Sequence, residues 1–295
     1  MTEQVLARAV EVTRCYGAVT ALDGVSLDIR EGELVGLLGP NGAGKSTLIN
    51  LFVGLRRPTS GVVELFGGSP RDPAARRWIG VTPQDTGLPN QLRVVECLEF
   101  VASHFAAKTD LGALLERFGL SETARRQIGG LSGGQKRRLA VALAFAGDPR
   151  LVFLDEPTTG LDVEARRTLW DAIREFHAEG GTVVLTSHYL EEIEALARRV
   201  VVIGQGRVLA DDSVDAVRGM VGVRRVSMTV AEPPELPGVL SMEREGDRLH
   251  LVTSDADALV RDLVRSGVAF SGLEVRQTSL EEAFLTITSR ASLLP

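Results

Sequence analysis

The segment Gly39-Pro40-Asn41-Gly42-Ala43-Gly44-Lys45-Ser46-Thr47 has the residue types and spacing to hold a polyphosphate. Its glycines permit tight backbone turns that aim successive amide hydrogens, and the end of a following helix, at phosphate oxygens. Lys45 can neutralise the β- and γ-phosphates, and Ser46 can ligate Mg2+. Further along, Leu151-Val152-Phe153-Leu154-Asp155-Glu156 ends an apolar run in two carboxylates. Such a pair is costly in a core but useful beside a metal and a water. Asp155 is expected to position Mg2+, directly or through water, and Glu156 to polarise the attacking water. Together the two segments imply hydrolysis of a nucleoside triphosphate.

Those residues need elements that hold them. Leu34-Val35-Gly36-Leu37-Leu38, just before the glycine loop, reads as a strand buried on both faces, whereas Val25, Leu27 and Ile29 alternate with polar residues. After Lys45 the period changes, with Leu48, Leu51, Phe52 and Leu55 on one helix face. Between about 85 and 130 the chain is mostly helical, and another helix is expected from about Lys136 to Ala146. The strand at 151–154, a helix from near Val163 and a strand at 182–187 follow. This alternation implies an α/β fold with a mainly parallel sheet under helical cover.

Past Val217 the pattern becomes short strands around one helix, and Ser279 and Glu282 have capping-box spacing before a last helix. Pro233, Pro234 and Pro237 imply a loop between the first two of these strands. The chain therefore reads as a nucleotide-binding domain at 1–219, with a helical region at about 85–146, followed by a small α+β domain at 220–295.

Composition narrows the class. The 295 residues are 44% apolar and 24% charged, as in an ordinary folded protein. A net charge of −6 gives no reason to expect nucleic acid as the main partner. Cys15 and Cys97 alone supply neither a metal cluster nor a disulfide framework. No stretch approaches the roughly 20 apolar residues that cross a bilayer, and the amino terminus lacks a secretory pattern. A transport role would therefore need a separate membrane partner.

The segments above, together with Leu131-Ser132-Gly133-Gly134-Gln135 ahead of the acidic strand, resemble the ATP-binding-cassette (ABC) ATPase family over about residues 5–217. The resemblance implies a P-loop NTPase fold of the ABC type, ATP and Mg2+ as ligands, and a homodimer. In this family the LSGGQ signature of one subunit covers the γ-phosphate held by the other, so Ser132, Gly133, Gly134 and Gln135 are expected to bind nucleotide across the dimer. A second cradle of backbone donors and a helix end is readily used when two chains face head to tail.

By the same resemblance Tyr16 lies against adenine, and Gln84 contacts Mg2+ or the attacking water at the start of the region touching a membrane partner. Asp162 aligns the opposite site while capping its own helix, and His188 contacts the γ-phosphate. The implied catalytic set is Lys45, Gln84, Glu156 and His188, and the implied metal ligands are Ser46, Gln84 and Asp155. His104, His177 and His250 lack comparable context.

Residues about 223–290, especially Thr278-Ser279-Leu280-Glu281-Glu282-Ala283-Phe284-Leu285, resemble the tail of bacterial drug- and antibiotic-efflux ATPases of the ABC-2 exporter type. That implies a peripheral subunit at the cytoplasmic face of the cell membrane, working with separately encoded permease subunits, whose tail steadies the dimer or regulates it. The alternative is an ATPase of the same type regulating a soluble complex.

Overall fold

The computed structural model describes residues 4–84, 87–105, 109–220, 222–231, 236–277 and 279–292. In chain order the first unit contains β1 (Val5–Tyr16), β2 (Val19–Arg30), β3 (Leu34–Leu38), α1 (Lys45–Phe52), β4 (Ser60–Leu65), α2 (Pro73–Arg76) and β5 (Ile79–Thr82). Then come α3 (Val94–Ala102), α4 (Leu111–Arg117), α5 (Gly133–Phe145), β6 (Leu151–Asp155), α6 (Val163–Ala178) and β7 (Thr182–Thr186). It closes with α7 (Leu190–Leu196), β8 (Arg199–Gly204) and β9 (Arg207–Ser213). The chain divides into Met1–Asp211 and Asp212–Pro295.

Six strands of the first unit form one sheet in the order β5-β6-β7-β3-β8-β9, and β5 through β8 of that row run parallel. Every residue of β3, β6 and β7 is buried, because helices cover both faces of a parallel sheet. A second, antiparallel sheet, β2-β1-β4, contributes Val25, Leu27 and Ile29 to a common core with Leu48, Leu51 and Phe52 of α1 and Phe153 of β6. The period-2 and period-3.6 faces expected from the sequence thus meet in one cluster, except for Leu55, which is exposed because α1 stops at Phe52, ahead of the left-handed Gly54.

The register sets the site. Asp155 pairs with Thr186, and Thr186 with Leu37, so β6, β7 and β3 end at one level along the sheet. The glycine loop, the acidic pair and the segment reaching His188 all leave from those ends. In open α/β sheets this carboxyl edge is where ligands bind.

α5 begins at Gly133, earlier than the expected Lys136. Two glycines disfavour a helix start by propensity, but a reciprocal cap overrides them. Ser132 Oγ accepts from the Gln135 amide at 3.2 Å, while Gln135 Oε1 accepts from the Ser132 amide at 3.0 Å. At the other end of this helix the approach to the sheet is direct: a Cβ on Gly80 of β5 would collide with the Ala144 carbonyl oxygen.

The second unit contains α8 (Val214–Gly219), β10 (Arg224–Val230), β11 (Val239–Glu245), β12 (Arg248–Thr253), α9 (Ala256–Arg265), β13 (Phe270–Gln277) and α10 (Leu280–Ser292). Its sheet, β11-β12-β10-β13, is antiparallel. Val226, Met228, Leu249 and Leu251 meet Ala256, Leu259 and Leu263 of α9 in a separate core. Ser279 and Glu282 form the expected reciprocal cap of α10, at 3.0 and 3.2 Å. Pro237 lies in a turn, and Pro233 and Pro234 fall outside the described residues. Among the described residues no helix is long and apolar enough to cross a membrane.

Candidate active site

The loop after β3 turns through Gly42 (φ 79°) and Gly44 (φ 109°), left-handed conformations that favour glycine. Gly44 also lies so close to Ala21 and Leu22 that a side chain there would clash. The loop delivers Lys45 to the first turn of α1, where its side chain folds back. Lys45 Nζ donates to the carbonyls of Gly39 at 2.7 Å and Pro40 at 3.1 Å. Only 7% of Lys45 is exposed, and among the described residues its ammonium bonds no carboxylate. Burial pushes its pKa down, against the raising influence of Glu156 and Asp155. A buried ammonium within the glycine loop suits an anion such as phosphate.

β6 brings Asp155 and Glu156 to the same edge, each 6% exposed. One hydroxyl ties them: Thr186 Oγ1 donates to Asp155 Oδ1 at 2.6 Å and accepts from the Glu156 amide at 2.9 Å. Glu156 itself has φ 52°, a left-handed geometry that is strained for a side chain of this size and persists only where neighbours hold it. Its carboxylate is gripped from two directions. Gln84 Nε2 donates to Oε2 at 3.0 Å, and His188 Nε2 lies 2.7 Å from Oε1.

A cavity of about 300 Å3 results, lined by Ala21, Asn41–Thr47, Gln84, Glu156 and His188. Five parts of the sequence, from Ala21 to His188, therefore meet in one place. Asp155 lies behind Glu156 against Thr186. Tyr16 does not line the cavity; it is 40% exposed, with the Arg14 guanidinium 4.5 Å from its ring centroid. Among the described residues no group of three or more His, Cys, Asp or Glu side chains is placed to hold a metal. The Ser46 hydroxyl, the Asp155 carboxylate and phosphate oxygens instead make a donor set that suits Mg2+, which keeps few protein ligands and fills its shell with water and phosphate.

Ser132, Gly133, Gly134, Gln135 and Asp162 stand outside this cavity. Asp162 Oδ1 accepts from the Ala165 amide at 2.8 Å as the cap of α6, and a Cβ on Gly134 would sit 3.5 Å from Leu161. The signature and the Asp162 loop thus lie side by side. A larger depression of about 460 Å3, near Arg117, Arg150 and Phe176, holds none of the candidate residues, and its arginines are paired with Glu175, Glu179 and Glu31.

Sequence reasoning missed three supporting side chains. Thr186 was legible only as part of an apolar strand, although a polar residue at the carboxyl end of a buried strand is a signal. Arg137 reaches carbonyls around the acidic pair and was lost in the general excess of arginine over lysine. Glu192, on α7, is wholly buried. It accepts from Thr158 Oγ1 at 2.8 Å and from Trp170 Nε1 at 3.0 Å, joining the segment after His188 to the loop that leads to Asp162.

Burial raises the Glu192 pKa, only partly offset by bonds from Ser187, Thr158 and Trp170 and by Arg166. Because the folded-state value lies above the unfolded one, its stabilising contribution is present below the unfolded pKa of 4.5 and is lost as pH rises through the folded value. Glu192→Gln, which cannot ionise, is expected to gain in melting temperature relative to the unsubstituted chain as pH is raised from about 4 to 8. A difference in melting temperature that stays flat with pH would contradict this.

A family model described as ABC transporter matches residues 22–159. The daunorubicin resistance ATP-binding protein DrrA2 of Streptomyces coeruleorubidus is 37% identical over 95% of this chain and 94% of its own length. The Nod factor export ATP-binding protein I of Rhizobium sp. (strain N33) is 37% identical over 95% of each chain. Among solved structures, an ATP-binding subunit of an ABC transporter superposes with a TM-score of 0.69 at 30% identity, covering 74% of this chain and 93% of its own. A dimeric ATP-binding cassette in a post-hydrolysis state bound to ADP and Pi gives 0.65 at 28% identity, covering 70% and 98%.

Proposed function

Because the chain belongs to the ABC transporter ATPases, which hydrolyse ATP, we propose that two copies enclose two ATP molecules and energise export through separately encoded transmembrane subunits. One observation carries the reading. The glycine loop, Gln84, Glu156 and His188 share a cavity, while Ser132–Gln135 stands outside it, capped and facing no phosphate loop of its own. Two copies related by a two-fold axis would each lend that second cradle to the other's cavity. A relative whose solved structure is dimeric with ADP and Pi supports this arrangement.

In the closed pair, Glu156 accepts a proton from water as the water oxygen bonds the γ-phosphorus and the bond to the ADP oxygen breaks. Gln84 and His188 orient the carboxylate, Lys45 and the loop amides hold the β- and γ-phosphates, and Tyr16 contacts the adenine. Mg2+ held by Ser46, Asp155 and the Gln84 amide would neutralise charge on the phosphate oxygens. Ser132, Gly133, Gly134 and Gln135 cover the γ-phosphate of the partner copy, and Asp162 aligns that site.

The segment after Gln84 passes closure to the transmembrane subunits, with the chain peripheral at the cytoplasmic face. The cargo class is a small molecule, drug or lipid, supported by relatives named for daunorubicin resistance and Nod factor export. Residues 220–295 steady the dimer or regulate it. Affinity capture of the tagged chain from detergent-solubilised native membranes should recover a multispanning protein at near-equal abundance. Reproducible recovery of soluble partners alone would replace this reading with that of an ATPase regulating a soluble complex.

A further inference from the structure

We propose that Arg137 is a positioning residue for hydrolysis: it binds the backbone of the Gln84 loop and of the Glu156 turn to the helix that starts at the signature. Among the described residues its guanidinium donates to a cluster of carbonyl oxygens. Nε donates to Pro157 at 3.0 Å, Nη1 to Pro83 at 3.2 Å and Gln84 at 3.0 Å, and Nη2 to Asp155 at 2.8 Å and Glu156 at 2.6 Å. A guanidinium carries five N–H donors in a planar fork, so the donor geometry is matched to this cluster and a lysine ammonium could not span it.

The cluster needs such a partner. Glu156 follows β6 at φ 52°, and the carbonyls of 155–157 at this partly buried site turn to Arg137, that of Glu156 accepting also from the Thr159 amide at 3.3 Å. A strained residue keeps its conformation only when its surroundings over-determine it. Thr186 holds Glu156 through its amide and Arg137 holds it through its carbonyl, while Gln84 and His188 hold its carboxylate. With Thr186 and the Thr159 amide, Arg137 thus fixes the Glu156 backbone, and it alone of these three also bonds the Gln84 carbonyl.

Its position on α5 gives the clamp a second consequence. Ser132, which caps this helix, belongs to the segment proposed to contact nucleotide on the other copy, and Arg137 sits little more than one turn away. Displacing the start of α5 therefore displaces Glu156 and Gln84 of the same chain. Each signature reports, through this one side chain, to the hydrolytic groups of its own subunit.

The inference rests on Glu156 acting in ATP hydrolysis, so the test carries that residue alongside. Steady-state Mg2+-ATPase rates of the full chain, Glu156→Gln, Arg137→Ala and Arg137→Lys would be measured with binding of a fluorescent ATP analogue. Arg137→Ala is expected to lose about 10–100-fold in kcat, the order that a misplacement of about 1 Å can cost, with KM within about threefold. Arg137→Lys should recover little, and millimolar guanidinium should raise the rate of Arg137→Ala but not that of the unsubstituted chain.

An Arg137→Ala protein that binds the analogue and turns over at the unsubstituted kcat, or changes only in KM, overturns the clamp while leaving Glu156 in place. Should Arg137→Ala not fold, Arg137→Lys decides by the same criterion. Equal rates for the unsubstituted chain and Glu156→Gln would overturn the assignment of Glu156 and the clamp with it.

Discussion

Glu156→Gln is expected to bind Mg2+-ATP as well as the unsubstituted chain and to hydrolyse it about 10²–10⁴-fold more slowly, the usual worth of a positioned general base. The amide keeps the size and the φ 52° backbone that Thr186 and Arg137 hold. It gives up the charge and the basic oxygen. Oε2 of the carboxylate accepts from Gln84 and Thr159 and Oε1 faces His188, whereas an amide has a single oxygen, so one of these two sides must face an NH2 group. Removing a negative charge from a cavity proposed for phosphate leaves affinity equal or higher. Turnover and nucleotide binding measured on the same preparation separate the two effects, and an unchanged rate would end the role given to Glu156.

Lys45→Met should act in the opposite sense on binding. Loss of charge-assisted hydrogen bonds to phosphate is worth about 1.5–3 kcal/mol, so the Kd for ATP should rise roughly 10–150-fold. The chain without nucleotide responds differently. The Lys45 pKa is lowered chiefly by burial, so at neutral pH the protonated folded state is penalised relative to the unfolded one, and the penalty is relieved as pH rises above the lowered value towards the unfolded value of 10.5. An apolar side chain of similar length removes it. The melting temperature without ATP should therefore be maintained or raised in Lys45→Met, while the gain produced by a given ATP concentration should be smaller than in the unsubstituted chain. A variant less stable without nucleotide, yet stabilised by ATP as much as the unsubstituted chain, would contradict both halves.

The parts of the site that were legible in the sequence are those whose physical requirement is written consecutively. A phosphate loop needs its glycines, lysine and hydroxyl in adjacent positions between a buried strand and a helix, and residues 39–47 carry all of them. Strands β3, β6 and β7 were visible because burial on both faces leaves an unbroken apolar run. The caps at Asp162 and Ser279 were visible because capping reaches only three residues along the chain.

What stayed hidden acts across sequence. Arg137 reaches carbonyls 18 to 54 residues away, and Glu192 meets Thr158 across 34. Nothing in the local pattern around either residue distinguishes a helix-surface arginine or an α7 glutamate from its neighbours. The strand order β5-β6-β7-β3-β8-β9 is hidden for a related reason, since apolar runs state that strands are buried but not which lie side by side. The start of α5 is hidden because Gly133 and Gly134 speak against a helix locally, and the Ser132–Gln135 cap outweighs them.

The contact between Gly80 and the Ala144 carbonyl makes α5 a lever with a fixed fulcrum. With no side chain as a spacer, the carboxyl end of the helix bears on the sheet backbone to backbone. From Ala144 to Ser132 the arm is about 18 Å at 1.5 Å per residue. A tilt of about 5° then swings Ser132 by about 1.5 Å, enough to make or break a hydrogen bond. The same tilt carries Arg137, nearer the fulcrum, about 1 Å, the scale on which catalytic alignment is lost or gained. A rotation too slight to disturb the core would in this way be felt at both ends of the chemistry.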